Sequence, residues 1–137
     1  MAGVFQGSVP LNLDGSVGAV LIHDPSLPPS TIVPSGTAFQ VHVSWEIHRT
    51  VVALMGGKFN VKVFFEGFGT LPEKDFGAAP VAVIPVSGTN YIVHVPVAGT
   101  DLPVGIYKMI AMITYTNAAG NPGPIAGYTD DIIVEIF

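Results

Sequence analysis

The sequence predicts an all-β fold: an antiparallel two-sheet β-sandwich of about seven strands, as one domain over residues 1–137. Three observations predict it. Apolar and polar residues alternate with a period of two along most of the chain, as in strands with one buried face. The 16 glycines and 12 prolines, one residue in five, are spread throughout and leave no long stretch free for a helix. Clusters of turn-forming residues separate the short apolar runs at the spacing of a two-layer β domain.

Residues 1–15 and 24–36 read as irregular, the second as a long loop because of Pro25, Pro28, Pro29 and Pro34. Between them residues 16–23 form a strand, with Val17, Ala19 and Leu21 on one side and Val20 and Ile22 on the other. The clearest alternation lies in residues 37–48, where Phe39, Val41, Val43, Trp45 and Ile47 oppose Gln40, His42, Ser44, Glu46 and His48. A helix would scatter these two sets around its circumference, whereas a strand separates them. Residues 50–55 have an ambiguous period. Gly56-Gly57 then leads into residues 58–67, with Phe59, Val61, Val63 and Phe65 against Asn60, Lys62, Phe64 and Glu66. Pro85 makes the strand at 80–86 short, bulged or at an edge. Residues 91–97 place Tyr91, Val93, Val95 and Val97 inward and Ile92 and His94 outward. Residues 105–116 are apolar on both faces, residues 117–124 form a loop, and residues 128–137 form the last strand.

Composition narrows the function classes. A net charge of −5 and a pI near 5.0 argue against nucleic acid and anionic membranes as partners. Charged residues make up 11% of the chain, against about 25% in an average protein, while apolar residues reach 49%. The mean hydropathy of +0.55 excludes a highly charged disordered tail. No apolar run approaches the ~18 residues of a membrane-spanning helix, so membrane insertion is not expected. Without cysteine there is no disulfide framework, thiolate metal site or cysteine nucleophile. The N-terminal residues lack the pattern of a secretory signal. A cytoplasmic location is the default expectation, with export by another route left open.

The segment Leu102-Pro103-Val104-Gly105-Ile106-Tyr107-Lys108-Met109 resembles the tyrosine corner of immunoglobulin and fibronectin type III sandwiches. Met109 stands where antibody domains place their second cysteine, and Trp45 is similar to the core tryptophan of these folds. The resemblance implies an immunoglobulin-like fold. It implies no ligand, and the missing cysteine pair departs from antibody domains. Two threadings follow. In one, residues 37–48 are the second strand and pair in one sheet with residues 89–97. In the other, residues 16–23 are the second strand and residues 37–48 fall in the opposite sheet.

The first threading brings His42 and His94 to neighbouring strands, with Glu46 on the same outward row as His42, as a Zn²⁺ site of two or three ligands would need. The plainer reading is a set of polar residues on a solvated face. Asp130-Asp131 with Asp14, Asp24 or Asp101 would suit Ca²⁺ in chemistry but lack any regular ligand spacing. Glu66, Glu73 and Asp75 are candidate paired carboxylates without a recognisable cleft. No serine sits in a Gly-x-Ser-x-Gly elbow, and Gly56-Gly57-Lys58 precedes a strand rather than a helix N-terminus. No catalytic residue and no cofactor are therefore expected. Phe64 and Phe68 are candidate rings for a carbohydrate platform, against the alternative of packing under a loop.

The remaining signal is distributed. Each strand of a two-layer sandwich has one wet face, yet residues 105–113 and 132–137 are apolar on both. Two accounts stand: loops or the first 15 residues cover the extra face, or it is an association surface. The expected function is a non-catalytic interaction or structural module, a homo-oligomer or a partner of another protein. Tyr107, Met109, Ile113, Tyr115 and Ile133 are the expected interface. The alternatives are a carbohydrate- or other ligand-binding module and a metal-binding protein.

Overall fold

Alternation becomes strand wherever the sequence shows it clearly, and strand also forms where the sequence reads as loop. The computed structural model describes residues 2–6, 14–22, 28–48, 56–129 and 131–137, so residues 50–55, with their ambiguous period, lie outside the described residues. In chain order the strands are β1 (Ala2–Gln6), β2 (Asp14–Ile22), β3 (Ile32–Val33), β4 (Phe39–His48), β5 (Lys58–Gly67), β6 (Glu73–Gly77), β7 (Val81–Ala82), β8 (Asn90–Val97), β9 (Gly105–Thr116), β10 (Pro122–Tyr128) and β11 (Ile132–Ile136). There is no helix among the described residues.

Two sheets pack as a sandwich. One has the order β1-β2-β4-β8. The other is centred on β9, whose one edge pairs with β5 along its whole length. Its other edge is shared, Gly105–Met109 pairing with β11 and Met112–Thr116 with β10. β6 and β7 extend the far side of β5, and β3 adds to β11 in parallel. Strand β1 bonds to both β2 and β10 and so makes the hydrogen bonding continuous between the layers. The fold is all-β, as expected.

β4 pairs with β8 on one edge and with β2 on the other, so residues 16–22, 39–48 and 90–97 share a sheet. This is the pairing of the first threading, with β2 added to it. Residues 1–15 hold β1 and the start of β2, and β3 lies within the expected loop at 24–36. The candidate carboxylates Glu73 and Asp75 lie on an exposed edge strand, β6, for which the sequence offered no alternation. The strand expected at 80–86 shrinks to the two residues of β7.

The strand expected at 128–137 is reduced to β11, and a separate strand, β10, starts inside the loop expected at 117–124 and ends at Tyr128. β10 begins at Pro122 because Asn117 closes the preceding turn, its Oδ1 accepting from the amides of Ala119 and Asn121. Its register shifts between Pro122 and Ala126, where proline has no amide to give the ladder. The break between β10 and β11 is bridged by the buried Thr129. Its amide donates to the Ala111 carbonyl at 3.0 Å and its Oγ1 accepts from the Ala111 amide at 3.1 Å.

The core consists of the inward rows of both sheets. Trp45 stacks on Tyr91 with centroids 5.2 Å apart, and Phe59 meets both rings edge-on. Burying an aromatic ring removes much apolar area from water, and edge-to-face contacts add to that. Each buried tyrosine hydroxyl finds a backbone carbonyl. Tyr107 donates to Pro103 at 2.6 Å, Tyr115 to Gly56 at 2.6 Å and Tyr91 to Ile84 at 3.3 Å. The Tyr107 bond is the corner expected from residues 102–109.

Candidate functional site

Two outer faces carry the residues singled out in the sequence. On the β2-β4-β8 sheet the outward positions align in cross-strand rows. Val20, His42 and His94 form one row, Gly18, Ser44 and Ile92 the next, and Ser16, Glu46 and Asn90 the third. The His42 and His94 rings stack at 3.8 Å with 7° between their planes. Gln40 Oε1 lies 3.1 Å from His42 Nε2, an acceptor that selects the Nε2–H tautomer. Burial, and then the neighbouring His94, push the His42 pKa below its ordinary 6.5.

The histidines thus meet, but Glu46 does not join them. It pairs with His48, Oε1 to Nε2 at 3.3 Å, further along the same strand. Imidazole lone pairs lie in the ring plane, so two parallel stacked rings direct them side by side and not at one ion about 2 Å from each. Among the described residues no three His, Asp or Glu side chains come together to hold a metal ion. Of the other acidic candidates, Asp101 accepts from the Ala98 amide in a turn and Asp131 pairs with Lys108. Asp24 and Asp130 lie outside the described residues. Glu66 sits opposite Glu73, and Asp75 pairs with Lys62 at 3.4 Å.

The second face is the outside of the β9 sheet, and here the expected interface needs correction. Tyr107, Met109, Ile113 and Tyr115 all point into the core and are buried. Of the five expected residues only Ile133 faces out, 52% exposed. The opposite row of β9 is the outer one: Ile106, Lys108, Ile110, Met112 and Thr114. Register places Ile133 beside Lys108, Tyr128 beside Met112 and Phe64 beside Ile110, while Ile32 lies beyond Glu135 from Ile106. Ile106, at 44% exposed, and Ile32 and Tyr128, similarly exposed, join Ile133 on this surface. The sequence held a signal for this row. A corner tyrosine has to point inward, and alternation from Tyr107 then turns Ile106, Lys108, Ile110 and Met112 outward.

Phe64 is half-buried on this same face, beside a shallow groove of about 460 Å³ rimmed by Glu66, Glu73, Lys74 and Asp75. Phe68 is exposed in the turn after β5. Among the described residues the two rings make no contact with each other.

No family model and no curated protein matches the chain. Solved structures do. The C-terminal domain of wzt superposes with a TM-score of 0.65 at 11% identity, covering 98% of this chain and 78% of that one. A β-glucosidase from Listeria innocua in complex with glucose gives a TM-score of 0.49 at 13% identity, and 91% of this chain spans 16% of that enzyme. At these identities the likeness to the wzt domain shows a shared β-sandwich fold.

Proposed function

We propose that the chain is a non-catalytic association module, needing no cofactor, that pairs with a second copy of itself through the outer face of the β9 sheet. The observation that carries this reading is the in-register apolar surface of Ile32, Ile106, Ile110, Met112, Phe64, Tyr128 and Ile133. Apolar area on the outside of a two-layer sandwich contributes nothing to the monomer core and favours burial in an interface.

The charges on the face favour a copy of the same chain. Lys62 pairs with Asp75 on the β5–β6 side, and Lys108, within the outer row of β9, pairs with Asp131 at 3.6 Å, so both signs appear on this face. A two-fold interface brings a patch against itself and requires such self-complementarity. The net charge of −5 argues against nucleic acid as the partner. Light scattering across a range of concentrations tests the reading. The expected mass rises from one chain to two, and Ile106→Lys with Ile133→Lys holds it at one. A wild-type monomer at the highest concentration would sink it, and a stable complex formed only with another protein would replace the second copy.

A further inference from the structure

We propose that the outer face of the β2-β4-β8 sheet is a second, separate site, which binds a neutral oligosaccharide. A trough of about 540 Å³ crosses this face, lined by Ser16, Gly18, Ser44, Glu46, Asn90 and Ile92. Its shape follows from register. Gly18 and Ser44 are paired neighbours and carry the smallest side chains of the face, so the floor dips between taller residues. The stacked His42 and His94 form the next row beyond it, Glu46 and Asn90 line its other end, and Ile92 forms a wall that is 63% exposed.

The chemistry selects the ligand. Among the described residues the side chains of Ser16, Ser44 and Asn90 make no hydrogen bond, so their donors and acceptors remain available to a ligand. Hydroxyl and carboxamide groups both donate and accept, and a carboxylate accepts from two adjacent hydroxyls, which matches a polyhydroxylated molecule. Neither Lys nor Arg stands among the outward residues of these three strands, so no cation is present for phosphate, sulfate or a uronic acid. An extended peptide would seek the main-chain groups of a sheet edge, which among the described residues is the free side of β8, whereas the trough crosses the face of the sheet and presents side chains. The trough runs across three strands, about 10 Å at ~4.8 Å between strands, and along β4 from Ser44 to Glu46, about 7 Å at ~3.3 Å per residue, room for one or two sugar rings of a longer chain. Ile92 supplies the apolar wall against which the C–H faces of a sugar ring pack.

This site lies on the opposite sheet from the self-association surface and does not depend on it. The test is a screen of the intact protein against neutral and anionic oligosaccharides, followed by calorimetric titration of the neutral hit. Ser44→Trp fills the trough and is expected to abolish binding. Asn90→Ala, an exposed truncation with little structural consequence, is expected to weaken it about five- to tenfold, the range for one lost neutral hydrogen bond. Phe64→Ala, on the other sheet, is expected to leave it unchanged. The proposal is overturned if no neutral oligosaccharide binds at millimolar concentration, if only anionic ones bind, or if binding survives both Ser44→Trp and Asn90→Ala. Loss of binding in Phe64→Ala alone would move the sugar to the β9 sheet and equally overturn it.

Discussion

The phenolic hydroxyl of Tyr107 shows how one side chain ties the start of β9 to the strand's own entry loop. The ring is fully buried, burial raises the phenol pKa, and the protonated hydroxyl donates to the Pro103 carbonyl at 2.6 Å. Tyr107→Phe keeps the ring and removes the donor. The expected cost is about 1 kcal/mol, the typical net value of one such bond, read from urea unfolding. An unchanged midpoint would show that the hydroxyl adds nothing to the corner. His42 supplies a pH dependence at the same scale. Burial and His94 lower its pKa from 6.5, so the unfolded chain binds the proton more readily than the folded one. Stability from this group is therefore complete above pH 6.5 and declines as the pH falls through 6.5 towards the folded pKa. In an NMR titration the His42 ring should titrate below 6.5, and His94→Ala should move it back up. A midpoint at or above 6.5 in the wild type would contradict the assignment. The contact between these rings was legible only as one of two threadings. Alternation placed both histidines outward, but cross-strand register, which the sequence does not encode locally, set them opposite one another.

At the scale of elements, β4 and β5 were readable because each has one polar and one apolar row. β9 was not. Both its rows are apolar, so periodicity identifies a strand and leaves its facing undetermined. The Tyr107 corner resolves the facing, and it does so against the interface first expected of Tyr107, Met109, Ile113 and Tyr115. β6 was missed for the opposite reason. Glu73, Lys74 and Asp75 lie on an exposed edge strand, where charge discourages further pairing and hides the strand signal. The entry to β5 allows a sharper test. Gly57 has φ of +84°, and a Cβ there would be driven against the Thr116 carbonyl of the paired β9. Gly57→Ala combines left-handed strain with a backbone collision and should cost about 2 kcal/mol or more. A substitution without effect in chemical denaturation would mean that the β5–β9 pairing relaxes at no cost.

For the whole molecule the sparse charge and high apolar content now have locations. The inner rows of two sheets use most of the large apolar residues, and the remainder divides unequally between the outer faces. The β2-β4-β8 face presents Val20 and Ile92 among serines, histidines, Asn90 and Glu46, whereas the β9 face presents Ile32, Ile106, Ile110, Met112, Tyr128 and Ile133 around Lys62, Lys108, Glu66 and Glu135. In the proposed dimer, the second distribution couples folding to association. A dimer that buries this face is stabilised by mass action, by about 1.4 kcal/mol per dimer for each tenfold rise in concentration. The melting temperature of the wild type should therefore climb with protein concentration, while that of Ile106→Lys with Ile133→Lys should not. At low concentration the two should converge, because both substitutions replace exposed side chains and leave the core intact. If the double variant melts well below the wild type even when dilute, the outer row supports the sandwich itself. If neither melting temperature depends on concentration, the face stays wet in the free protein and its apolar area is reserved for a different partner.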